Sequence, residues 1–451
     1  MTAVWVVSAY LLLLLAGSFQ HRKGNVDADS FLLAGRRLTL FPFVATMVTT
    51  AYGWIFGIGE LYYQYGISAW LFLSLPYTIF AGIMAFFLSG KIRKEQIHSV
   101  PELLEKYYGK GFAKLGSLAV LITISPAMYA LMCAQLLSSI FPIPIWISIM
   151  LALFFSSVYL YNGGLAALAK KDGWKFILMF GGFAVALGYL FIQYGPLPLK
   201  GMPAGSLKFS LHAHFWEVLS WFILASLLFA DPGFHQRIYS THNARTAQVG
   251  LFISILCWTF FDFLAGSVAL YALGLMPELE NSAFVYLALA TSQLPEWIAA
   301  LFILGLLATI MSTLDSFLFL SAQTLMLDLF NKKTETKKEM RKGLLLSSVL
   351  TFLILIPYQQ ESAVRIFYDF TPYIVCILVP PVLSIFIPSI KIQSRQLWVQ
   401  VLVSILVCLI WNWAYSNNDE ALSAVVPAIL ASIGIQAFFL LYNKSMSGMQ
   451  N

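Results

Sequence analysis

Residues 305–319 read Gly-Leu-Leu-Ala-Thr-Ile-Met-Ser-Thr-Leu-Asp-Ser-Phe-Leu-Phe, a long apolar run that contains Ser312, Thr313, Asp315 and Ser316. Hydroxyls and carboxylates at membrane depth are costly, and they usually line a cavity, an ion pathway or a contact with another helix. Hydroxyl, carboxylate and helix carbonyl oxygens, here including the carbonyl of Thr309, are the ligands that a small hard cation prefers. The segment therefore predicts either an ion site or a hydrogen-bonded helix contact.

The composition indicates a polytopic integral membrane protein of the all-α class. Of the 451 residues, 59% are hydrophobic and only 11% are charged, whereas about a quarter of the residues of a soluble protein are charged. The mean hydropathy is +0.79. The net charge of +6 does not indicate nucleic-acid binding, because the basic residues are scattered over short loops. The four cysteines are widely spaced and form neither a disulfide framework nor a metal-ligand pattern.

Apolar segments predict about thirteen transmembrane helices, and the basic residues predict their orientation. With the N-terminus outside, all but three of the 27 Lys and Arg residues fall in cytoplasmic segments. The three exceptions are Lys200, Lys208 and Arg365. This bias follows the positive-inside rule. We therefore expect a multi-pass protein of the cell inner (cytoplasmic) membrane, with its N-terminus outside and its C-terminus in the cytoplasm.

Two of the predicted spans contain helix-weakening residues at comparable places. The second span, 38–62, contains Gly53, Gly57 and Gly59, and the seventh, 214–236, runs into Asp231-Pro232-Gly233. Interrupted spans in corresponding positions of two halves point to a substrate site between the halves of a transporter. The alternative for Gly53-x-x-x-Gly57 is simple close packing of two helices.

Five segments, in the same order and at matching topological positions, resemble motifs of the sodium:solute symporter family. They are ADSFLLAGRR at 28–37, SVPELLEKYYG at 99–109, YLYNGGLAA at 159–167, DPGFHQRIY at 231–239 and MSTLDS at 311–316. The resemblance implies the leucine-transporter-type fold over one transmembrane domain, 1–451. It implies an extra N-terminal helix at 3–20, a first five-helix repeat at 38–194, a second, inverted repeat at 214–388 and two C-terminal helices at 397–442.

The same resemblance implies a sodium site between the second and ninth spans. Ser312 and Thr313 would supply hydroxyls, and Thr309 its carbonyl. Carbonyls from the second span would come from Met47 and Thr50. The alternative is that the Ser and Thr hydroxyls bond back to carbonyls of their own helix.

A second cation or proton site is implied around Asp172, Asp315 and Ser316, next to Ser312. Two carboxylates at one site disfavour double ionisation, which suits uptake of a proton when no metal is bound. Two alternatives stay open: Asp172 pairs with a nearby lysine in solvent, or Lys175, where the family usually has Gln, replaces the ion altogether.

The sequence gives less information about the substrate than about the fold or the ion site. Tyr52, Trp54, Phe56 and Glu60 in the second span are candidate pocket residues for a small organic solute, with the aromatic rings covering its apolar part. Two hypotheses apply to Glu60: it pairs with an ammonium group of the solute, or it is an outer-gate or helix-packing carboxylate. The solute class (amino acid, sugar, carboxylate or vitamin-like compound) stays open.

These observations predict a secondary active transporter that couples sodium to a small organic solute by alternating access. The alternative is a proton-coupled symporter of the same fold. An integral-membrane enzyme is less favoured, because it would need a catalytic base or metal ligands near membrane depth, and the six histidines fall in loops or at span ends. We therefore expect no enzymatic activity, sodium as the coupling ion, no organic cofactor, no nucleic-acid partner, and a monomer surrounded by the lipid bilayer.

Overall fold

The computed structural model describes residues 2–16, 27–196, 198, 201–209, 215–332, 335–356, 363–415 and 423–448. These residues are almost entirely helical, and the extended pairing among them is one isolated bridge between Leu38 and Thr241. In the first half the helices are α1 (Thr2–Ala16), α2 (Ala28–Leu32), α3 (Leu40–Ala51), α4 (Ile55–Tyr65), α5 (Ala69–Phe72), α6 (Ser74–Ile83), α7 (Ser89–Lys94), α8 (Val100–Tyr108), α9 (Lys110–Thr123), α10 (Ala127–Ile140) and α11 (Ile145–Tyr194).

In the second half the helices are α12 (Phe215–Ala225), α13 (Pro232–Ser240), α14 (Ala244–Leu275), α15 (Val285–Ser292), α16 (Glu296–Gln323), α17 (Thr336–Leu355), α18 (Ala363–Phe386), α19 (Ser394–Ala414) and α20 (Val425–Gly448). Short 3₁₀ turns lie at Ala34–Arg36, Gly66–Ser68, Ser226–Ala230, Ser282–Phe284 and Pro388–Ile390. Two π-helical segments, Met84–Leu88 and Thr324–Leu329, continue α6 and α16.

Helix α16 is the central element of the bundle. Nearly every residue from Ile298 to Gln323 is buried, as expected for a helix that other helices surround on all sides. It packs along α11 and also contacts α1, α3, α10 and α17. The polar residues quoted above therefore lie inside protein and not against lipid.

Both predicted helix interruptions are confirmed. Helix α3 ends at Ala51 and α4 begins at Ile55, so residues 52–54 form a short break. Helix α12 passes through the 3₁₀ turn Ser226–Ala230 into an extended Asp231, which caps α13 by accepting a hydrogen bond from the Phe234 N–H. Because a helix end leaves backbone groups without intrahelical partners, each break supplies polar groups at membrane depth.

Helix α11 joins two predicted spans, 143–161 and 174–194, in one element of 50 residues. The two parts meet at Gly164, whose φ of 56° and ψ of −156° interrupt the helical geometry. A Cβ atom at this position would lie closer than 3.0 Å to the Phe31 carbonyl oxygen. Glycine is therefore required here both for the backbone conformation and for the close approach of α2.

Within the described residues, eight helical stretches are long and apolar enough to cross a membrane by length and composition. Shorter apolar helices, including α1 and α3, accompany them. Several predicted spans lie in helices that are interrupted or joined, so the count of thirteen stays a prediction. The polytopic, all-α character of the chain is confirmed.

Candidate functional site

The break between α3 and α4 lies directly against the hydroxyl-rich part of α16. A Cβ atom on Gly53 would come closer than 3.0 Å to the side chain of Thr313. The Thr313 hydroxyl donates a hydrogen bond of 2.8 Å to the Thr50 carbonyl oxygen at the end of α3. The absence of a side chain at Gly53 thus allows a hydroxyl of α16 to reach the carbonyls at the break.

Three of the residues predicted to bind sodium, Thr50, Ser312 and Thr313, meet at this contact. The Ser312 hydroxyl lies 2.8 Å from the Thr49 hydroxyl and 2.7 Å from Asp172 Oδ1, within hydrogen-bond distance of both. Thr309 is buried one turn before Thr313, and its hydroxyl bonds back to the Gly305 carbonyl at 2.7 Å. Met47 is buried one turn before Thr50 on α3. The back-bonding alternative therefore describes Thr309 but not Ser312 or Thr313, whose hydroxyls reach other helices.

The second predicted site is a buried ion cluster that contains a cation of the chain itself. The Lys175 ammonium makes a short contact with Asp315 Oδ2 and lies 3.7 Å from Asp172 Oδ1. Tyr159 also donates a hydrogen bond to Asp315 Oδ2, and Thr46 donates to Asp172 Oδ2 at 2.6 Å. The two carboxylates and the lysine side chain are at most 1% exposed. The two acidic residues are thus brought together across Lys175, and the reading of Asp172 as a solvated loop residue is wrong.

Arg237 is a member of the site for which sequence reasoning gave no role. Its Nη2 donates to the Thr50 hydroxyl at 2.6 Å and to the Ser316 hydroxyl at 2.7 Å. Its Nε donates to the Thr46 carbonyl, and its Nη1 to the Gly233 carbonyl. The guanidinium therefore ties α13 to α3 and α16 beside the predicted sodium ligands. Ser316 contacts this guanidinium and is not part of the Lys175 cluster.

Buried charges of both signs surround the α3–α16 contact. Asp172, Asp231 and Asp315 carry negative charges when ionised, and Lys175 and Arg237 carry positive charges. A third ammonium, that of Lys171, lies 3.6 Å from the centroid of the Tyr159 ring, whose hydroxyl bonds to Asp315. Oδ1 of Asp315 is buried and finds no hydrogen-bond partner among the described residues. The neutral oxygens at the helix break are ligands of the kind that a small hard cation prefers.

A cavity of about 930 Å³ opens next to the same break. Of the four predicted substrate residues, Tyr52 and Trp54 line it, together with Thr50. Phe56 packs against Phe284 with ring centroids 6.2 Å apart. Glu60 lies about one turn after Phe56 on α4, near Gln64. Neither Phe56 nor Glu60 belongs to the described lining. Thr50 therefore connects the cavity with the oxygens of the predicted sodium site.

The far wall of the cavity is formed by Trp258 and Asp262 on α14, two residues that were not assigned to a site from the sequence. The Tyr52 hydroxyl lies 2.7 Å from Asp262 Oδ1 and 2.8 Å from the Trp258 carbonyl oxygen. Ser74 is a second hydrogen-bonding neighbour of the Asp262 carboxylate. Trp54 stacks on Trp221 at a centroid distance of 6.0 Å and closes the cavity on that side.

At one end of the bundle, ionic contacts around His98 join the segment before α3 to the loop before α8. His98 Nε2 lies 2.7 Å from Asp29 Oδ1, and His98 Nδ1 lies 3.1 Å from Glu102 Oε2. These two carboxylates, Glu102 first, favour the imidazolium and raise the pKa of His98. The Arg36 guanidinium lowers the pKa of Asp29 in turn. Because Gln323 at the end of α16 donates to the His98 carbonyl, these contacts connect to the central helix.

Comparison with known proteins agrees with this geometry. The chain is similar to the sodium/pantothenate symporter of Haemophilus influenzae, with 24% identity over 443 residues that cover 90% of this chain and 85% of the relative. Its structure resembles that of a Na⁺-coupled sialic acid symporter in a substrate-bound outward-open state. The TM-score is 0.81 at 14% identity, over 98% of this chain and 97% of the other.

The structure also resembles a nucleobase-cation-symport-1 family transporter with bromovinylhydantoin bound, with a TM-score of 0.62 at 12% identity over 92% and 96% of the two chains. At these identities the structural likeness shows the fold alone, which is of the leucine-transporter type. The profile of the sodium:solute symporter family matches residues 31–395. The chain is therefore a membrane transporter and belongs to the sodium:solute symporter family.

Proposed function

We propose that the protein is a secondary active transporter that moves a small organic solute together with sodium, by alternating access. Its sodium site lies between α3 and α16. The ligands are the hydroxyls of Ser312 and Thr313 with the carbonyls of Met47, Thr50 and Thr309. The observation that carries the proposal is the approach of Thr313 to the Thr50 carbonyl across the helix break, at 2.8 Å.

Coupling follows from the position of Thr50. Its carbonyl faces the proposed ion site, and the residue also lines the cavity. An ion that holds α3 against α16 therefore also sets the shape of the solute cavity. Two ligands that favour the same conformation strengthen each other's binding, which is the thermodynamic requirement for symport.

The geometry further supports one sodium ion per transport cycle. A second cation between Asp172 and Asp315 would have to share its space with the Lys175 ammonium, which contacts both carboxylates. Ser312, Thr46 and Tyr159 fill other acceptor positions of the same carboxylates. In this proposal Lys175 is a built-in cation that takes the place of the second ion.

The test is the thermal stability of the detergent-purified protein in sodium chloride and in potassium chloride at equal ionic strength. A ligand that binds only the folded state raises the apparent melting temperature by mass action. We expect a saturable, sodium-specific rise, which Ser312→Ala and Thr313→Val weaken by about tenfold in apparent sodium affinity. Ser117→Ala is the matched control, because the hydroxyl of this buried serine on α9 bonds back to the Ala113 carbonyl of its own helix.

Equal melting temperatures in sodium and potassium would overturn the sodium site. Coupling to protons through the Asp172–Lys175–Asp315 cluster would then be examined by uptake measurements across a pH series. A sodium response of wild-type size in both site variants would overturn the ligand assignment while retaining the coupling ion.

A further inference from the structure

The described lining of the cavity contains acidic charges but no basic ones. Asp231 and Asp262 are its two ionisable carboxylates, and no Lys, Arg or His stands among these lining residues. A carboxylate-bearing solute would therefore meet two negative groups and no basic side chain of the described lining, in a low-dielectric interior where like charges repel strongly. The charge pattern favours a solute without a carboxylate.

The two carboxylates differ in their surroundings. Asp231 caps α13 and has the Arg237 guanidinium nearby, since both side chains lie beside Gly233. Asp262 is 7% exposed, and its hydrogen-bonding neighbours are the hydroxyls of Tyr52 and Ser74. In the described structure no Lys, Arg or His nitrogen lies within 4.0 Å of the Asp262 carboxylate. Buried charges within membranes are ordinarily paired, so Asp262 lacks a cation that its setting calls for.

The walls beside Asp262 suit an organic cation with an apolar body. Tyr52, Tyr77, Tyr129, Phe234 and Trp258 present aromatic rings to the cavity. Ring faces attract a cation within about 6 Å, and the attraction increases when the cation is desolvated. The same rings provide the apolar surface that buries the rest of a solute.

The Trp258 ring has a fixed orientation in this wall. The residue is 6% exposed and stacks on Phe234 at a centroid distance of 5.6 Å. Its indole N–H is buried without a hydrogen-bond partner in the described structure and is closed off from the cavity. The contribution of Trp258 to the wall is therefore its aromatic surface.

We propose that the cavity binds an organic ammonium compound, with its ammonium group against Asp262 and its apolar body among the aromatic rings. This assignment rests on the proposed symport function and names the solute class of the same site. The two carboxylates of the described lining disfavour solutes that carry a carboxylate, pantothenate among them.

The experiment measures thermal stability of the purified full-length protein in sodium chloride against matched sets of solutes. Each set contains an amine, an alcohol and a carboxylate that share one organic group. The four groups are phenethyl, 4-hydroxyphenethyl, cyclohexyl and butyl. Pantothenate is added as a further anion. We expect saturable stabilisation by amines, weaker or no stabilisation by alcohols and none by carboxylates. Equal or stronger effects of carboxylates, or no effect of any amine, would overturn the proposal.

Two variants separate the contacts. Asp262→Asn keeps the size of the side chain but removes its charge, and it should weaken amine binding at least about tenfold. Trp258→Leu keeps an apolar side chain but removes the aromatic ring, so it should weaken amine binding while it leaves the sodium response unchanged. If Asp262→Asn does not fold, Trp258→Leu still decides, and unchanged amine binding in this variant would contradict the proposed contact with the rings.

The sodium response without solute separates this inference from the proposed function. Stabilisation by sodium with no response to amines refutes the ammonium assignment and leaves symport intact. Stabilisation by amines without a sodium response supports the cavity assignment and refutes sodium coupling. Selective stabilisation by amines that Asp262→Asn does not change would overturn the role of this carboxylate.

Discussion

Gly53, in the break between α3 and α4, lies directly against Thr313 of α16 at the proposed sodium site. A Cβ atom there would overlap the Thr313 side chain. We predict that Gly53→Ala destabilises the folded protein by about 1–3 kcal/mol, the usual cost of overpacking, and weakens the sodium-dependent rise in melting temperature. Thermal unfolding in sodium and in potassium measures both effects.

Gly82→Ala is the control for this substitution, because a Cβ atom at Gly82 meets nothing within 4 Å. It should leave stability unchanged or raise it slightly, since alanine favours helix over glycine. If Gly53→Ala behaves like Gly82→Ala, the close contact between the two helices is not what positions Thr313.

The Lys175 ammonium separates two buried carboxylates. Without it, these carboxylates should destabilise the fold unless another cation binds between them. We predict that Lys175→Gln lowers stability in potassium by about 3–5 kcal/mol, the cost of leaving a buried ion without its partner. Sodium should restore part of this loss, so that the difference between the melting temperatures in sodium and potassium is larger in the variant than in the wild type.

Lys170→Gln removes the same charge from an exposed position five residues earlier. It should change neither the stability in potassium nor the difference between the melting temperatures in sodium and potassium. A sodium response in Lys175→Gln no larger than that of the wild type would show that the variant does not create a second ion site. The role of Lys175 as a substitute for that ion would then be rejected.

At the level of single residues, polarity inside an apolar run was sufficient to find Ser312, Thr313 and Asp315. Arg237 could not be found in this way, because it follows a predicted span and reads as one of many basic residues near a membrane surface. Nor does anything in the sequence distinguish Trp258 from the other tryptophans. Its unpaired N–H arises from the packing of α14, which no local pattern encodes.

Among the elements, the contacts around His98 are the part of the structure that should respond to pH near neutrality. Glu102 and Asp29 raise the pKa of His98, so the protonated ring stabilises the fold below the ordinary pKa of about 6.5. This contribution is lost as the pH rises through the raised value. We predict that His98→Asn is less stable than wild type at about pH 6 and that the difference shrinks with increasing pH.

The effect is expected to be at most about 1 kcal/mol, because the His98 side chain is 31% exposed and solvent screens its ion pairs. Thermal unfolding from about pH 6 to pH 8 gives the measurement. Glu102→Gln removes the largest cause of the shift and should reduce the pH-dependent part of the stability. A constant difference between wild type and His98→Asn over this range would refute the prediction.

Element positions were predictable where apolar runs or helix breakers are strong. The breaks at residues 52–54 and near Asp231 follow from glycine and proline, whose cost inside a helix is large. The joining of two spans in α11 was not predictable, because its interruption at Gly164 depends on the approach of the Phe31 carbonyl from α2. Tertiary contacts of this kind leave no periodic signal in a sequence.

At the scale of the whole molecule, the distribution of Lys and Arg predicts the orientation in the membrane. In a Cys257→Ser background, which removes the one partly exposed cysteine among the four, we introduce a reporter cysteine at one of two exposed sites. Ala204→Cys lies in the predicted outer loop between 194 and 214, and Lys338→Cys lies on the predicted cytoplasmic side.

A membrane-impermeant maleimide should label Ala204→Cys in intact cells and Lys338→Cys only after permeabilisation. The background protein without a reporter cysteine provides the control. The reverse pattern would invert the orientation, and equal labelling of both sites in intact cells would contradict an odd number of crossings between them.

In the proposed cycle with one sodium ion, the lysine held between Asp172 and Asp315 also limits how far the transporter can concentrate its solute. Each positive charge that crosses the membrane contributes about 2.3 kcal/mol per 100 mV of membrane potential. A second sodium ion would add this electrical work and also the energy of its own concentration gradient. An ammonium covalently attached to the chain returns with the protein and contributes neither. The maximal accumulation ratio of the solute is therefore lower than the ratio that a carrier of two sodium ions reaches. The dependence of transport on sodium concentration is that of a single bound ion.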